Sequence, residues 1–389
     1  MTHRIGFNLL WLVPGVVGGS ETSTVTTLTA LAADRPEDLD HVLYVLAPFV
    51  EAHPELAAAF ETHVLPLSGR VKGARVLAEQ SWLVARSRRD RIDVMHHLGG
   101  TVPLTGGPEP LVSIHDLQPF DHPENFHRAK RAWLSLAVPR AVRSAHLVLT
   151  PSEWVRGTVL DRFGADPQRV RSVPHGMPPM EGGTPFEVLR RRYDLSGEIV
   201  LYPTITYPHK DHVTLVEAFA AVARRHPSSL LVLPGGEAGA EPEVREAIAR
   251  SGVAARIRRL GAIPRPDVLG LVAAATVVAV PSRYEGFGIP ALEAMAHGRP
   301  VVATDATALP EVVGEAGLLV PAGDVHGWAE AVSSLLADET RREQLGRAGV
   351  QRAQAFSPER NLEGTLDAQR AVLDRRRSGP AIERSRRQG

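Results

Sequence analysis

The chain has 389 residues, of which 43% are hydrophobic and 23% charged, and equal numbers of acidic and basic residues give a formal net charge of zero. The length predicts two domains rather than one, and the zero charge gives no global attraction to nucleic acid. The absence of cysteine excludes disulfides and thiolate chemistry and is typical of a reducing compartment.

The N-terminal segment, MTHRIGFNLLWLVPGVVGG, is an apolar stretch that also resembles a signal peptide. We favour a first strand over residues 4–12 that runs into a glycine-rich loop, because Asn8 interrupts the stretch and no clear cleavage site follows. A helix is predicted over 21–33 with Ser20 as its N-terminal cap. No apolar run reaches the ~20 residues of a membrane-spanning helix, so we expect a cytoplasmic protein.

Strands and helices alternate through the rest of the first half, as a parallel α/β sheet requires. The predicted strands are 41–46, 62–65, 92–97, 111–115, 147–150 and 170–173, and the predicted helices are 73–88, 127–143 and one capped by Ser152. His115 ends a strand, at the sheet edge where active-site groups gather. A purely structural histidine remains the alternative at this point.

A stretch rich in proline and glycine, 178–185, marks a domain boundary, after which the alternation restarts. The strands predicted there are 198–202, 230–233, 256–260, 276–280, 301–303 and 317–320, and the helices are 211–226, 266–275, 290–297, 309–313, 325–337, 339–355 and 358–375. We therefore expect two Rossmann-like α/β domains over 1–178 and 179–357. The basic tail 376–389 has no apolar period and is predicted to be disordered. Its cations leave open a weak peripheral contact with anionic lipid headgroups.

The most informative stretch is 276–305, TVVAVPSRYEGFGIPALEAMAHGRPVVATD, which predicts a strand, a loop, a helix and a second strand. Gly286 and Gly288 allow the loop backbone to approach a ligand closely, and the following helix presents its free N–H groups. The ligand favoured there is a phosphate. Glu285 and Glu293 can each accept two hydrogen bonds from the vicinal hydroxyls of a ribose or sugar.

The Glu-x7-Glu pattern inside EGFGIPALE resembles the donor-site signature of the retaining glycosyltransferases of family 4. That family has the GT-B fold, in which two Rossmann-like domains face each other across a cleft and a C-terminal helix (here 358–375) crosses back to the N-terminal domain. The segment SIHDLQPFDHPENF is most similar to the mannosyltransferase branch.

The resemblance implies a retaining, metal-independent enzyme with no cofactor. It would move a hexose, with mannose favoured, from a nucleotide-diphosphate sugar to a hydroxyl of a glycan, lipid-linked or small-molecule acceptor. GDP-mannose is the first expectation for the donor and UDP-sugars are close behind.

The resemblance also implies a role for individual residues. His115 would position the donor sugar, Lys210 would pair with the donor diphosphate, Glu285 would orient the transferred sugar and Glu293 would hold the ribose. The other predicted donor-binding residues are Gly18, Gly19, Ile263, Gly286, Phe287, Gly288 and Ile289. The family usually carries an arginine six residues before the lysine, and this chain has Thr204 there.

Lysine usage supports the importance of one of these residues. Lys72, Lys130 and Lys210 are the only lysines, and every other basic residue that the charge count includes is arginine. A retained lysine can mark a place that needs a compact ammonium.

Two other signals were weighed against this interpretation. Asp38 and Asp40 have the DxD spacing of metal-using glycosyltransferases, but they lie in a polar loop before a strand. His96 and His97 are adjacent in the sequence and therefore point to opposite faces of a strand, so they cannot easily share one metal ion. No metal site is therefore predicted. The alternatives that stay open are a non-catalytic nucleotide-sugar-binding protein, for which Thr204 is the best argument, and a nucleotide-sugar epimerase of the same fold.

Overall fold

The structure is a computed structural model that describes residues 2–16, 18–178 and 180–386. The chain divides into two compact units, one of Met1–Gly176 with Pro358–Gly389 and one of Met177–Ser357. These divisions lie next to the boundaries expected at 178 and 357.

The first unit is built on a parallel seven-stranded sheet in the order β3-β2-β1-β4-β5-β6-β7. Its strands are β1 (His3–Asn8), β2 (Leu39–Leu46), β3 (Glu61–Leu65), β4 (Val94–His97), β5 (Glu109–Ser113), β6 (Leu147–Thr150) and β7 (Val170–Ser172). Central strands such as β4 and β6 are buried along their whole length. Such strands need helices on both faces.

The second unit repeats the design with six parallel strands in the order β10-β9-β8-β11-β12-β13. Its strands are β8 (Ile199–Leu201), β9 (Leu230–Pro234), β10 (Ile257–Gly261), β11 (Val277–Val280), β12 (Val301–Thr304) and β13 (Gly317–Val320). In both sheets, successive strands are added first on one side of the first strand and then on its other side. The point of reversal lies between β1 and β4 in the first sheet and between β8 and β11 in the second.

The helices flank the two sheets. In chain order they are α1 (Gly19–Ala33), α2 (Ala47–Ala52), α3 (Pro54–Ala59), α4 (Lys72–Ala78), α5 (Val84–Arg89), α6 (Gln118–Asp121), α7 (Arg128–Ser144), α8 (Glu153–Phe163), α9 (Phe186–Tyr193), α10 (His212–Arg225), α11 (Glu241–Arg250), α12 (Arg265–Ala274), α13 (Ile289–Ala296), α14 (Leu309–Val313), α15 (Val325–Ala337), α16 (Glu339–Ala353) and α17 (Pro358–Arg386). A π-helical turn, Glu79–Leu83, joins α4 to α5.

Two predicted boundaries near the N-terminus were wrong. The first strand ends at Asn8 rather than at residue 12, because the Asn8 side chain accepts a hydrogen bond from Leu10 N at 3.2 Å and bends the chain. Helix α1 is capped by Gly18 rather than by Ser20. Gly18 has φ 62°, a left-handed conformation that favours glycine.

The C-terminal helix α17 belongs to the first unit, as the resemblance implied. Asn361 accepts a hydrogen bond from Thr27 Oγ1 at 2.6 Å and donates one to the carbonyl of Pro174 at 2.7 Å. The helix continues to Arg386, so residues 376–386 are helical where a disordered tail was expected. Adding turns to a helix that packing has already nucleated needs no second nucleus. Residues 387–389 lie outside the described residues.

Over the described parts of the chain, no helix is both long enough and apolar enough to cross a lipid bilayer.

Candidate active site

The second unit brings Lys210 and Glu285 together at the reversal point of its sheet. Lys210 Nζ lies 2.6 Å from Glu285 Oε1, and the two side chains are 15% and 11% exposed. Lys210 follows β8 and Glu285 follows β11, and these two strands are neighbours in the sheet. The carboxyl ends of neighbouring parallel strands meet at one edge, which is where open α/β sheets bind ligands.

Further hydrogen bonds hold these two loops against each other. The hydroxyl of Tyr202 donates to the carbonyl of Lys210 at 3.0 Å and lies 2.7 Å from Ser282 Oγ. Burial holds the pKa of Tyr202 well above its ordinary value, so the phenol keeps its proton. Arg283 donates from Nε to Asp211 Oδ2 at 2.7 Å. The lysine and the glutamate therefore project from a cross-braced pair of loops.

Helix α13 begins directly after the glycine loop. Its cap residue, Gly288, has φ 113°, and a Cβ there would lie 2.7 Å from Leu309 Cδ2. Glycine is therefore favoured here by the backbone conformation, and a Cβ would also require the Leu309 side chain to shift. No side chain of the described chain caps this helix. The N–H groups of Ala291 and Leu292 donate to the carbonyl of Gly288 at 3.0 and 3.2 Å, and the N-terminal end of the helix carries partial positive charge, which suits an anion.

Glu293 lies on α13 just past the first turn and is 3% exposed. Its carboxylate is paired with Arg265, the first residue of α12, through Nη2. Arg265 follows the turn that contains the half-buried Ile263. Arg265 thus connects Glu293 to the turn of Ile263, and both of these residues were predicted to bind the nucleotide. A role for Arg265 was not predicted from the sequence. No sequence motif distinguishes Arg265 from the many other arginines.

Thr204 occupies the position where the family usually has arginine. The loop is tightly packed, because a Cβ on Gly235 would lie 1.9 Å from the carbonyl oxygen of Thr204. Arg259 lies beside this loop, but its guanidinium donates to the carbonyls of Gly235 and Gly236 at 2.7 and 3.2 Å and to Glu241 at 2.8 Å. Arg259 therefore has a structural role.

In the first unit, the loop after β1 delivers Gly18 and Gly19 to the start of α1, at the reversal point of that sheet. Both glycines are exposed. Glu21 in the first turn of α1 holds this loop, because its carboxylate accepts from Gly15 N at 2.7 Å and lies 3.2 Å from His53 Nε2. Sequence reasoning did not single out Glu21.

His115 lies two residues beyond β5 rather than at the end of the strand. Its Nε2 lies 2.9 Å from the carbonyl oxygen of Leu98, which can only accept, so Nε2 carries the proton. Burial lowers the pKa of His115 to about 4, so the ring is neutral at pH 7 and Nδ1 is a hydrogen-bond acceptor. The rings of Trp11 and His175 lie 5.7 and 5.4 Å from that of His115.

His115 opens onto a cavity that we call the histidine pocket. It lies within the first unit and is lined by three histidines and several hydroxyl side chains. The histidines are His96, His115 and His175.

The DxD carboxylates are engaged in ion pairs. Asp38 accepts two hydrogen bonds from Arg370, both at 2.9 Å, and Asp40 accepts one from Arg4 at 3.0 Å. Asp38 thus ties α17 to the start of β2.

One group of side chains in the described residues has metal-ligand spacing, namely Glu61, His63 and Asp90. Arg4 pairs with Glu61, and Arg86 pairs with Asp90 at 2.9 Å. The two acidic charges are thus already balanced, which is the arrangement of an ion-pair network.

Two family descriptions match most of the chain. Residues 17–180 match "Glycosyltransferase Family 4" and residues 198–338 match "Glycosyl transferases group 1". O-antigen chain mannosyltransferase B of Escherichia coli is 30% identical over 264 residues, which cover 66% of this chain and 69% of that protein. The chain therefore belongs to the family 4 glycosyltransferases and is a glycosyltransferase enzyme.

The chain is also similar to D-inositol 3-phosphate glycosyltransferases, for example that of Salinispora tropica, with 34% identity over 247 residues. That match covers 59% of this chain and 51% of the relative, so the chain spans about half the length of this relative.

Solved structures show the same fold. Sucrose-phosphate synthase of Thermosynechococcus elongatus has a TM-score of 0.77 at 23% identity, with 96% of this chain and 99% of that chain covered. HepE of Anabaena, solved with UDP and glucose, has a TM-score of 0.73 at 21% identity, with 95% and 100% covered. WaaG, a glycosyltransferase of lipopolysaccharide biosynthesis, has a TM-score of 0.72 at 16% identity, with 93% and 98% covered. The predicted GT-B class of fold is thereby confirmed.

Proposed function

We propose that the chain transfers a hexose, with mannose favoured, from a nucleotide-diphosphate sugar to the hydroxyl of a glycan, lipid-linked or small-molecule acceptor, with retention of configuration. The similarity to a mannosyltransferase supports the choice of sugar. The structure of HepE with UDP-glucose keeps UDP-sugars as the second donor class.

The observation that carries the proposal is the pairing of Lys210 with Glu285 beside the uncapped start of α13. A cation and a helix N-terminus together form a site for a diphosphate. In the structure Glu285 balances the ammonium. When the donor binds, its diphosphate would replace Glu285 as the partner of the Lys210 ammonium. The Glu285 carboxylate would then accept hydrogen bonds from the sugar hydroxyls.

The chemistry is stabilisation of a leaving group. The bond between the sugar's anomeric carbon and the phosphate oxygen breaks, and a bond from that carbon to the acceptor oxygen forms. The acceptor's proton passes to the departing phosphate, which serves as the base on the same face of the sugar. Lys210 and the amides of residues 286–289 oppose the charge that develops on the diphosphate, in the manner of an oxyanion hole.

A donor screen tests the proposal. A ligand that binds only the folded state raises the melting temperature, so the full chain is heated with GDP-mannose, other GDP-sugars, UDP-sugars and ADP-sugars. One class should raise the melting temperature of the wild type and should have little effect on Lys210→Ala. Arg225→Ala is the control, because it breaks an exposed ion pair of the same unit, with Glu330 at 2.9 Å. The proposal fails if no nucleotide-sugar stabilises the wild type or if Lys210→Ala responds like the control.

A further inference from the structure

Thr307 lies in the loop between β12 and α14, in a backbone conformation that does not suit threonine. Its φ is 56°, in the left-handed region, which a β-branched residue rarely occupies. Residues held in this region are strained, persist only where the surrounding structure holds them, and cluster at functional sites. Glycine would adopt the same conformation without strain. A role for threonine at this position therefore has to come from its side chain.

The Thr307 side chain holds the start of the glycine loop. Its Oγ1 accepts a hydrogen bond from Glu285 N at 3.1 Å, and this is the only hydrogen bond that the side chain makes to the described residues. A second contact joins the same two segments, because a Cβ on Gly288 would lie 2.7 Å from Leu309 Cδ2. The loop over 285–288 is thus held against the β12–α14 segment at both of its ends.

Glu285 is contacted from two sides through different atoms. Lys210, which follows β8, pairs with the carboxylate at 2.6 Å, and Thr307, which follows β12, accepts from the backbone N–H. Strands β8 and β12 are the two neighbours of β11 in the sheet. Because the two contacts are separate, the Glu285 carboxylate can leave Lys210 without any movement of its own backbone.

We propose that Thr307 is a positioning residue, which fixes the backbone of Glu285 while the carboxylate exchanges Lys210 for the hydroxyls of the donor sugar. This inference rests on the glycosyl transfer proposed above, in which Glu285 orients the transferred sugar. A fixed backbone keeps the carboxylate oxygens within reach of those hydroxyls, and a displacement of about 1 Å can slow an enzyme about 100-fold. Thr307 acts through Glu285 and does not need to touch the donor.

Three substitutions separate the hydroxyl of Thr307 from its shape and its strain. Thr307→Val removes the hydroxyl and keeps the branch, Thr307→Ser keeps the hydroxyl, and Thr307→Gly removes the hydroxyl together with the strain. The matched control is Asp194→Gly, since Asp194 also has a positive φ, of 51°, and lies in the same unit before the start of β8. Its carboxylate pairs with Arg258 at 2.9 Å. The assay is release of nucleoside diphosphate by the full chain from GDP-mannose and from UDP-glucose.

Thr307→Val and Thr307→Gly should each lower kcat about 10- to 100-fold and leave KM for the donor within about threefold of the wild type. Thr307→Ser should keep at least about a third of the wild-type kcat, and the control should stay within about twofold. Thr307→Gly should nevertheless have a higher melting temperature than Thr307→Val, because only glycine adopts this φ without strain. Equal rates at unequal stability cannot result from a loss of folded protein.

A combined variant tests whether Thr307 acts through Glu285. In the Glu285→Gln background, Thr307→Val should change kcat by less than about twofold, because residues that act as one unit are not additive. The inference is overturned if Thr307→Val keeps the wild-type kcat, if Thr307→Ser is as slow as Thr307→Val, or if the full loss persists in the Glu285→Gln background.

Amide exchange tests the contact without any donor. The Glu285 N–H should exchange about three- to tenfold faster in Thr307→Val than in the wild type, and Thr307→Ser should retain the wild-type rate. Equal exchange in all three proteins would overturn the inference.

The two proposals can fail separately. If nucleoside diphosphate is released in a Lys210-dependent way and the Thr307 variants keep the wild-type rate, the positioning role is wrong and the glycosyl transfer stands. If amide exchange follows the expected order but no nucleotide-sugar is turned over, the proposed reaction is wrong, the catalytic part of this inference falls with it, and only the backbone contact stands.

Discussion

The pairing of Lys210 with Glu285 allows a double-mutant cycle on activity and on stability at once. Lys210→Met removes the ammonium and keeps most of the packing, and Glu285→Gln removes the carboxylate charge and keeps its shape. The third variant combines both changes. Because the side chains are 15% and 11% exposed, the pair lies between a surface and a buried ion pair. We expect a coupling energy in stability of about 1–3 kcal/mol, between the surface and buried limits.

Activity should follow a different pattern. If Lys210 opposes charge on the departing diphosphate, Lys210→Met should reduce turnover about 100- to 1000-fold, the usual effect of losing one such group. The double variant should remain as slow, because restoring charge balance does not restore an ammonium for the phosphate. The assay is release of nucleoside diphosphate at saturating donor, with urea unfolding on the same proteins.

The outcome that would refute this reasoning is equally specific. If the double variant regains most of the wild-type rate, the ion pair only holds the two loops together and neither residue acts on the donor. Arg225→Met serves as the control, because it breaks an exposed pair in the same unit and should leave the rate unchanged.

Three further predictions concern stability. Gly288→Ala should lower the free energy of unfolding in urea by about 1–3 kcal/mol, whereas Gly157→Ala, in a helix with nothing within 4 Å of the new Cβ, should raise it by up to about 1 kcal/mol; equal effects would contradict the packing described at α13. Arg265→Ala should lower it by about 1–3 kcal/mol, because the buried carboxylate of Glu293 loses its partner; an unchanged urea midpoint would show that the pair is not formed in solution. The histidine pocket should make the fold acid-sensitive, since the pKa values of about 3 and 4 of His96 and His115 lie below those of the unfolded chain. The unfolded state then binds more protons than the folded state as the pH falls below about 6.5. The free energy of unfolding of the wild type should therefore fall by about 1.4 kcal/mol per pH unit for each of these two histidines, and that of His96→Gln should fall less steeply.

Much of the fold was predictable from the sequence because strands buried on both faces leave short apolar runs. Strands β6 and β13 and helices α14 and α15 lie where the sequence placed them. Several short helices were missed, namely α2, α3, α6, α9 and α11. The π-helical turn at Glu79–Leu83 was also missed, because nothing in its composition distinguishes it from the α-helix on either side.

The individual residues of the candidate site could be predicted from the sequence, but the contacts between them could not. The sequence singled out Lys210 and Glu285 separately, but their contact depends on β8 and β11 being neighbours, which is a property of strand order. Arg265 was missed for the same reason, since its position relative to Glu293 depends on how α12 packs. The hydrogen bond between Glu285 N and Thr307 Oγ1 could not be foreseen either, because β11 and β12 lie side by side only in the folded sheet.

The most direct test of the central claim is a crystal structure of the chain with a donor nucleotide-sugar or its nucleoside diphosphate. The account predicts diphosphate oxygens within hydrogen-bonding distance of Lys210 Nζ and of the amides at 286–289, with Glu293 against the ribose. A nucleotide seated elsewhere in the chain, with Lys210 still bound to Glu285, would contradict it.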